Sequence, residues 1–171
     1  DFSEALSGTT DLRIGEVLAT ESRVAPPPAG AATPLAHPRG RVAFENVSFR
    51  YDREGEDAVL RNISFVVEPG QTVALLGATG AGKSTLVNLV PRFYDPNEGR
   101  ITIDGVDVRS LDAPTLHRTV SVALQEAVLF SGTIRDNIAY GRPDATDEEV
   151  IAAAKLAQAH GFIMTLPGGY N

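Results

Sequence analysis

The sequence predicts an α/β or α+β fold whose first part is mainly β. Three observations predict it. Residues 41–49 and 59–67 read as strands, and Asp104-Gly105 marks a hairpin between two alternating runs. A glycine-rich segment, 77–85, stands between an apolar run and a helix-like stretch. At 171 residues, 43% of them hydrophobic, the chain has about one domain's length and enough apolar side chain for a sizeable core.

Taken in order, residues 3–18 (SEALSGTTDLRIGEVL) place Leu12, Ile14, Val17 and Leu18 on a loosely helical spacing that Gly8 and Gly15 weaken. APPPAGAATPLAHPRG (25–40) is rich in proline, alanine and glycine and reads as an extended linker. RVAFENVSF (41–49) alternates at Val42 and Phe44, slips, and resumes at Val47 and Phe49, a strand pattern. VLRNISFVV (59–67) is a second strand, closed by EPGQ. TVALLG (72–77) is a short continuous apolar run, as in a strand buried on both faces. Gly82 to Val90 reads as a helix with Leu86, Val87 and Val90 inward and Pro91 ending the pattern. GRITIDGVDV (99–108) alternates and turns at Asp104-Gly105. VSVAL (120–124) reads as another buried strand. DATDEEVIAAAKLAQAH (144–160) is a helix with a Thr146/Glu149 capping box and a stripe of Val150, Ala153, Ala154 and Ala157.

Composition removes several function classes. A formal charge of -7 repels phosphate backbones, so nucleic acid is not expected as a partner. The absence of cysteine excludes disulfides, thiolate metal sites and a cysteine nucleophile. The three histidines, His37, His117 and His160, are scattered without a metal-ligand spacing. No apolar run approaches the ~18 residues of a membrane span, and no signal segment opens the chain. The chain starts at Asp1 and its single methionine is Met164, so it reads as a piece of something longer, or as processed. Only Lys83 and Lys155 are lysines among fifteen lysines and arginines, a bias that fits a GC-rich bacterial gene.

One of those two scarce lysines lies in the glycine-rich segment. Gly77, Ala78, Thr79, Gly80, Ala81, Gly82, Lys83 and Ser84, followed by Thr85, fit G-x-x-x-x-G-K-[ST] without exception. Glycines let successive backbone N–H groups point inward, and the following helix adds its positive end. Lys83 can then reach the β- and γ-phosphates of a nucleotide, and the Ser84 hydroxyl can ligate Mg²⁺. Two further residues bear on such a site. Tyr51, ending a strand, can stack on a base or simply pack against the sheet. Gln125, directly after a buried apolar run, can reach Mg²⁺ or an attacking water, or stand on a surface loop.

Together these stretches resemble one family. From Arg41 to Asn171 the chain resembles the ATP-binding domain of ABC transporters. The resemblance rests on FENVSFRYD, ISFVVEPGQTVALLGATGAGKSTL, RFYDPNEGRITIDGVDV, VALQEAVLFSGTIRDNIAYG and FIMTLPGGYN. It implies an α/β P-loop NTPase fold of ABC type, with an antiparallel β part and a RecA-like core, incomplete at the C-terminus. It also implies ATP and Mg²⁺ as cofactors, Tyr51 as the adenine-stacking aromatic, Gly77 to Thr85 as the Walker A loop, and Gln125 as the Q-loop glutamine beside the metal. Lys83 and Gln125 would serve catalysis, with Ser84 and Gln125 on the metal.

LFSGTIRDNIAYG looks like the exporter type, in which membrane and ATPase domains share one chain. DLRIGEVLATESRV (11–24) resembles the connector after the last membrane helix, and it also fits a generic amphipathic helix. The implied organisation is a connector (1–24), a linker (25–40) and the N-terminal part of an ATP-binding domain (41–171). The implied partners are a second ATP-binding domain, as homo- or heterodimer, and a transmembrane domain of the same or another chain. The implied place is the cytoplasmic face of a bacterial plasma membrane. A non-hydrolysing half of an asymmetric exporter and a soluble ATPase subunit of a permease are the alternatives.

The family's Walker B strand, the glutamate that follows it, the LSGGQ signature and the histidine switch are not found in the sequence. ITID (101–104) imitates a Walker B strand but alternates like a hairpin strand and runs into Gly105. LSG (6–8) lies on the wrong side of the loop. His117 stands where the family commonly has arginine. The expectation is therefore that this chain folds poorly alone and hydrolyses ATP negligibly.

Overall fold

The computed structural model describes residues 22, 24–51, 57–123 and 128–171. The chain divides into two compact units, residues 1–121 and 122–171. The connector reading of 1–24, the LSG at 6–8 and Gln125 fall almost wholly or wholly outside the described residues.

The first unit is built on four antiparallel strands. β1 (Val42–Phe49) and β2 (Leu60–Val67) pair with each other, and β3 (Glu98–Ile103) pairs with the other edge of β1. The short β4 (Val106–Asp107) closes a hairpin on β3, giving the order β2-β1-β3-β4. The slip in the β1 pattern is a bulge. Asn46 takes φ 51°, and the register against both neighbours shifts between Phe44 and Ser48. Because of it, Phe44 and Val47, three residues apart, both face the core. Ser64 and Ser48 accept the N–H groups of Asn46 and Asn62 at 2.9 and 3.1 Å, which satisfies donors that the irregular ladder leaves. Asp104 and Gly105 carry φ 51° and 84°, the two left-handed residues that a two-residue hairpin needs.

Two helices cover the sheet. α1 (Lys83–Leu89) leaves the glycine-rich loop, and α2 (Ala113–Thr119) is capped by Asp112, whose carboxylate accepts the Thr115 N–H at 2.8 Å. The core joins Phe44, Val47, Phe49, Leu60, Ile101 and Ile103 of the sheet to Leu89, Val108, Leu111 and Leu116. The inward face of α1 is Leu86, Leu89 and Val90, an i, i+3, i+4 set, whereas Val87 is exposed. The sequence reading placed Leu86 and Val90 correctly, but the third inward residue is Leu89 and not Val87.

Two expected strands do not form. TVALLG (72–77) and residues 120–123 of VSVAL carry no strand, and Leu76 is 94% exposed. A strand buried on both faces needs partners on its hydrogen-bonding edges and layers above and below. Among the described residues no strand pairs with either run. An apolar run signals a demand for burial but does not itself supply the neighbour.

The proline-rich stretch 25–40 has no helix or strand, yet it is tied to the rest of the first unit at three points. Arg92 donates to the Ala25 carbonyl at 2.8 Å, the Thr33 N–H donates to the Ser110 carbonyl at 2.8 Å, and Asp104 receives the N–H groups of Arg39 and Gly40.

The second unit is helical. α3 (Ile134–Ile138) opens with a Thr133/Asp136 capping box and α4 (Asp147–Leu156) with the expected Thr146/Glu149 box. Val150 and Ala154 are buried, while Ala153 and Ala157 of the expected stripe are exposed. α4 stops at Leu156 because Gln158 turns to φ 58°. The Ala159 N–H then bonds the Ala154 carbonyl and the Gln158 N–H bonds Lys155, a Schellman ending made without glycine. A last turn, α5 (His160–Ile163), follows.

Candidate functional site

The loop that precedes α1 is shaped by two left-handed glycines. Gly80 and Gly82 both take φ 83°. They differ in surroundings. A Cβ on Gly80 would meet nothing within 4 Å, but one on Gly82 would lie 2.9 Å from Leu60 Cδ2 and 3.1 Å from Val59 Cγ1. Gly82 is therefore needed both for its backbone angle and for the close approach of the loop to the start of β2. It also caps α1 without any side-chain hydrogen bond. The first-turn N–H groups of Lys83, Ser84 and Thr85 have no intrahelical acceptor, which is the geometry that receives an anion.

Lys83 bends back over this loop. Its Nζ donates to the carbonyls of Gly77 and Ala78, both at 2.8 Å, which holds the ammonium over the loop. The Ser84 side chain is exposed, whereas Thr85 is buried. The Thr85 hydroxyl is 2.8 Å from the hydroxyl of Tyr51, which the fold brings in from the end of β1. The structure thus joins Tyr51 to Thr85, the last residue of the glycine-rich segment, which only the resemblance had associated with it. Gln125 lies outside the described residues.

Tyr51 stands in an aromatic cluster. Its ring meets Phe49 edge-on at 4.9 Å and Tyr94 edge-on at 5.2 Å. Phe49, Tyr51, Phe93, Tyr94 and Asn97 line a cleft of about 550 Å³. Phe93 and Tyr94 had no role in the sequence reading, although two adjacent aromatics directly after a helix were a visible signal. Arg92, beside them, was missed as well. Its side chain is 9% exposed and bonds Asp95 through two nitrogens at 2.7 and 3.0 Å, besides Ala25.

The Walker B imitation has a different task. Asp104 accepts backbone N–H groups from Arg39, Gly40 and Arg41 at 2.7 to 3.1 Å. Partial burial works to raise its pKa, but the bonds from Arg41, Gly40 and Arg39 outweigh it and hold the carboxyl below the ordinary value. Its oxygens fasten the chain entering β1, so they are not aimed at a metal. His117 packs beneath the end of α1, with Nε2 3.3 Å from the Pro91 carbonyl.

Among the described residues no three acidic or histidine side chains gather as a metal cage. The exposed Ser84 hydroxyl at the start of α1 is an oxygen donor of the kind that can join waters and a ligand's phosphate oxygens around Mg²⁺, a cation that seldom needs an all-protein cage.

The ABC transporter family model matches residues 60–169. The chain belongs to the ABC transporter family. Among its relatives, the Bacillus subtilis protein YgaD, named as a multidrug export ATP-binding/permease protein, is 55% identical over 133 residues. That alignment covers 78% of this chain and 23% of YgaD. The B. subtilis ABC transporter ATP-binding protein YfiC is 50% identical over 132 residues, 77% of this chain and 22% of its own. A solved structure of a bacterial Atm1-family ABC exporter with ATP bound is 41% identical with a TM-score of 0.81, covering 99% of this chain and 30% of that one. The chain thus spans less than a quarter of the length of these two curated relatives. Its fold is that of an ABC ATPase domain, with the antiparallel sheet packed against the P-loop helix. Among the described residues no helix is long and apolar enough to cross a membrane.

Proposed function

We propose that this ABC family chain is the ATP-binding part of an exporter that couples ATP binding and hydrolysis to transport across a membrane. The observation that carries the reading is the loop of Gly77 to Thr85, with Lys83 drawn over it and Tyr51 bonded to its helix. Loop amides and Lys83 would bind the phosphates, Ser84 and Gln125 would hold Mg²⁺, and Tyr51 would stack on adenine. The nucleotide would supply the phosphoanhydride whose cleavage drives the cycle, and a glutamate outside these 171 residues would activate the water. The proposed partners are a second ATP-binding domain and a transmembrane domain of the same or another chain, at the cytoplasmic face of a bacterial membrane. The relatives' combined ATP-binding/permease naming supports the fused arrangement, with 1–24 as connector and 25–40 as linker. Reading the gene outward from both ends tests it. Membrane spans upstream, with LSGGQ and an apolar strand ending in Asp-Glu downstream, are the expected result. A different residue in place of that glutamate would instead assign a non-hydrolysing half, and a gene without membrane spans would assign a separate ATPase subunit.

A further inference from the structure

We propose that Thr85 is a positioning residue that locks the Tyr51 ring to the phosphate loop, so that base and phosphate subsites form one rigid unit. The inference rests on the reading of Gly77 to Thr85 as a nucleotide cradle and goes beyond it. The two hydroxyls of the Ser84-Thr85 pair are divided between tasks. Ser84 faces outward, while Thr85 is 5% exposed and its Oγ1 lies 2.8 Å from the Tyr51 hydroxyl. The Tyr51 ring also meets Phe49 at 4.9 Å and 85° and Tyr94 at 5.2 Å and 89°, both edge-on. Those contacts fix the plane of the ring, and the bond to Thr85 fixes its reach toward the loop. A ring left 43% exposed offers surface for a flat ligand group while its hydroxyl stays committed. Holding it before the ligand arrives lowers the ordering cost of binding, and that gain goes only to ligands that carry a base as well as phosphates.

The test is a double-mutant cycle on the intact protein, with MgATP and magnesium tripolyphosphate as probes in isothermal titration. Thr85→Val and Tyr51→Phe each remove one end of the bond and keep the side chain's shape. Each is expected to weaken MgATP roughly three- to tenfold, the range of one hydrogen bond. The double variant is expected to be no weaker than the worse single one, and Thr85→Ser is expected to restore affinity. The loss should fall at least about threefold more heavily on MgATP than on tripolyphosphate. Equal losses for both probes would mean that Thr85 serves the phosphates directly or only the fold, and would overturn the inference. So would additive effects, or a Tyr51→Phe variant with wild-type affinity. A wild-type protein that binds neither probe would overturn the cradle reading itself, and the inference with it.

Discussion

Gly80 and Gly82 form a natural control pair, because both have φ 83° and only Gly82 is crowded. Replacing either by alanine forces an L-residue into the left-handed region, at about 1–2 kcal/mol. Gly82→Ala adds a methyl group 2.9 Å from Leu60 Cδ2, 3.1 Å from Val59 Cγ1 and 3.2 Å from the Val59 carbonyl oxygen. Leu60 is buried and the carbonyl belongs to the backbone, so neither can yield cheaply. Overpacking of this kind costs about 1–3 kcal/mol. The backbone terms cancel in the difference, so Gly82→Ala should destabilise the start of α1 by about 1–3 kcal/mol more than Gly80→Ala. Native-state hydrogen exchange at the amides of Leu86 to Leu89 reads that difference locally. Exchange should be roughly five- to 150-fold faster in Gly82→Ala than in Gly80→Ala. Equal exchange in the two variants would refute the claimed approach of the loop to β2.

Other consequences follow from single contacts. Asp104, with its pKa held below the ordinary 3.8, contributes stability that is fully present above that value and is lost as pH falls through the depressed one. Asp104→Asn should flatten acid unfolding below about pH 4 and cost about 1 kcal/mol at neutral pH, since solvent screens a partly exposed carboxylate. Denaturant melts at several pH values would show it. Arg92→Lys keeps the charge but loses the two-nitrogen grip on Asp95 and the bond to Ala25, and should lower stability by about 1–3 kcal/mol in urea unfolding. Leu89→Ala, at a fully buried position between helix and sheet, should cost about 2–5 kcal/mol by the same measurement.

Much of the local structure was legible because its causes are local. The bulge in β1 showed as a slip in alternation, the hairpin as Asp104-Gly105, and the start of α4 as Thr146 with Glu149. Failures came where distant residues decide. TVALLG announces burial but not the strand that must pair with it, and Val87 lost the core position to Leu89 by a rotation of the helix face. The end of α4 at Gln158 and the turn at Arg92, with φ 60°, use residues that ordinarily avoid left-handed angles, so no glycine marks them. In the site, the loop itself was readable from its spacing. The Tyr51–Thr85 bond was not, because the two residues are 34 apart and only the packing of α1 beside the end of β1 brings them together. Arg92 and Tyr94 were quoted only as part of a resemblance, and their roles come from what they touch.

The central claim is that the loop before α1 holds nucleotide phosphates through Lys83. Calorimetric titration of the intact protein with MgATP, against its Lys83→Ala variant, tests it most directly. Saturable binding by the wild type, weakened about a hundredfold or more by loss of the ammonium, is the result expected. An affinity that Lys83→Ala leaves unchanged would contradict the account.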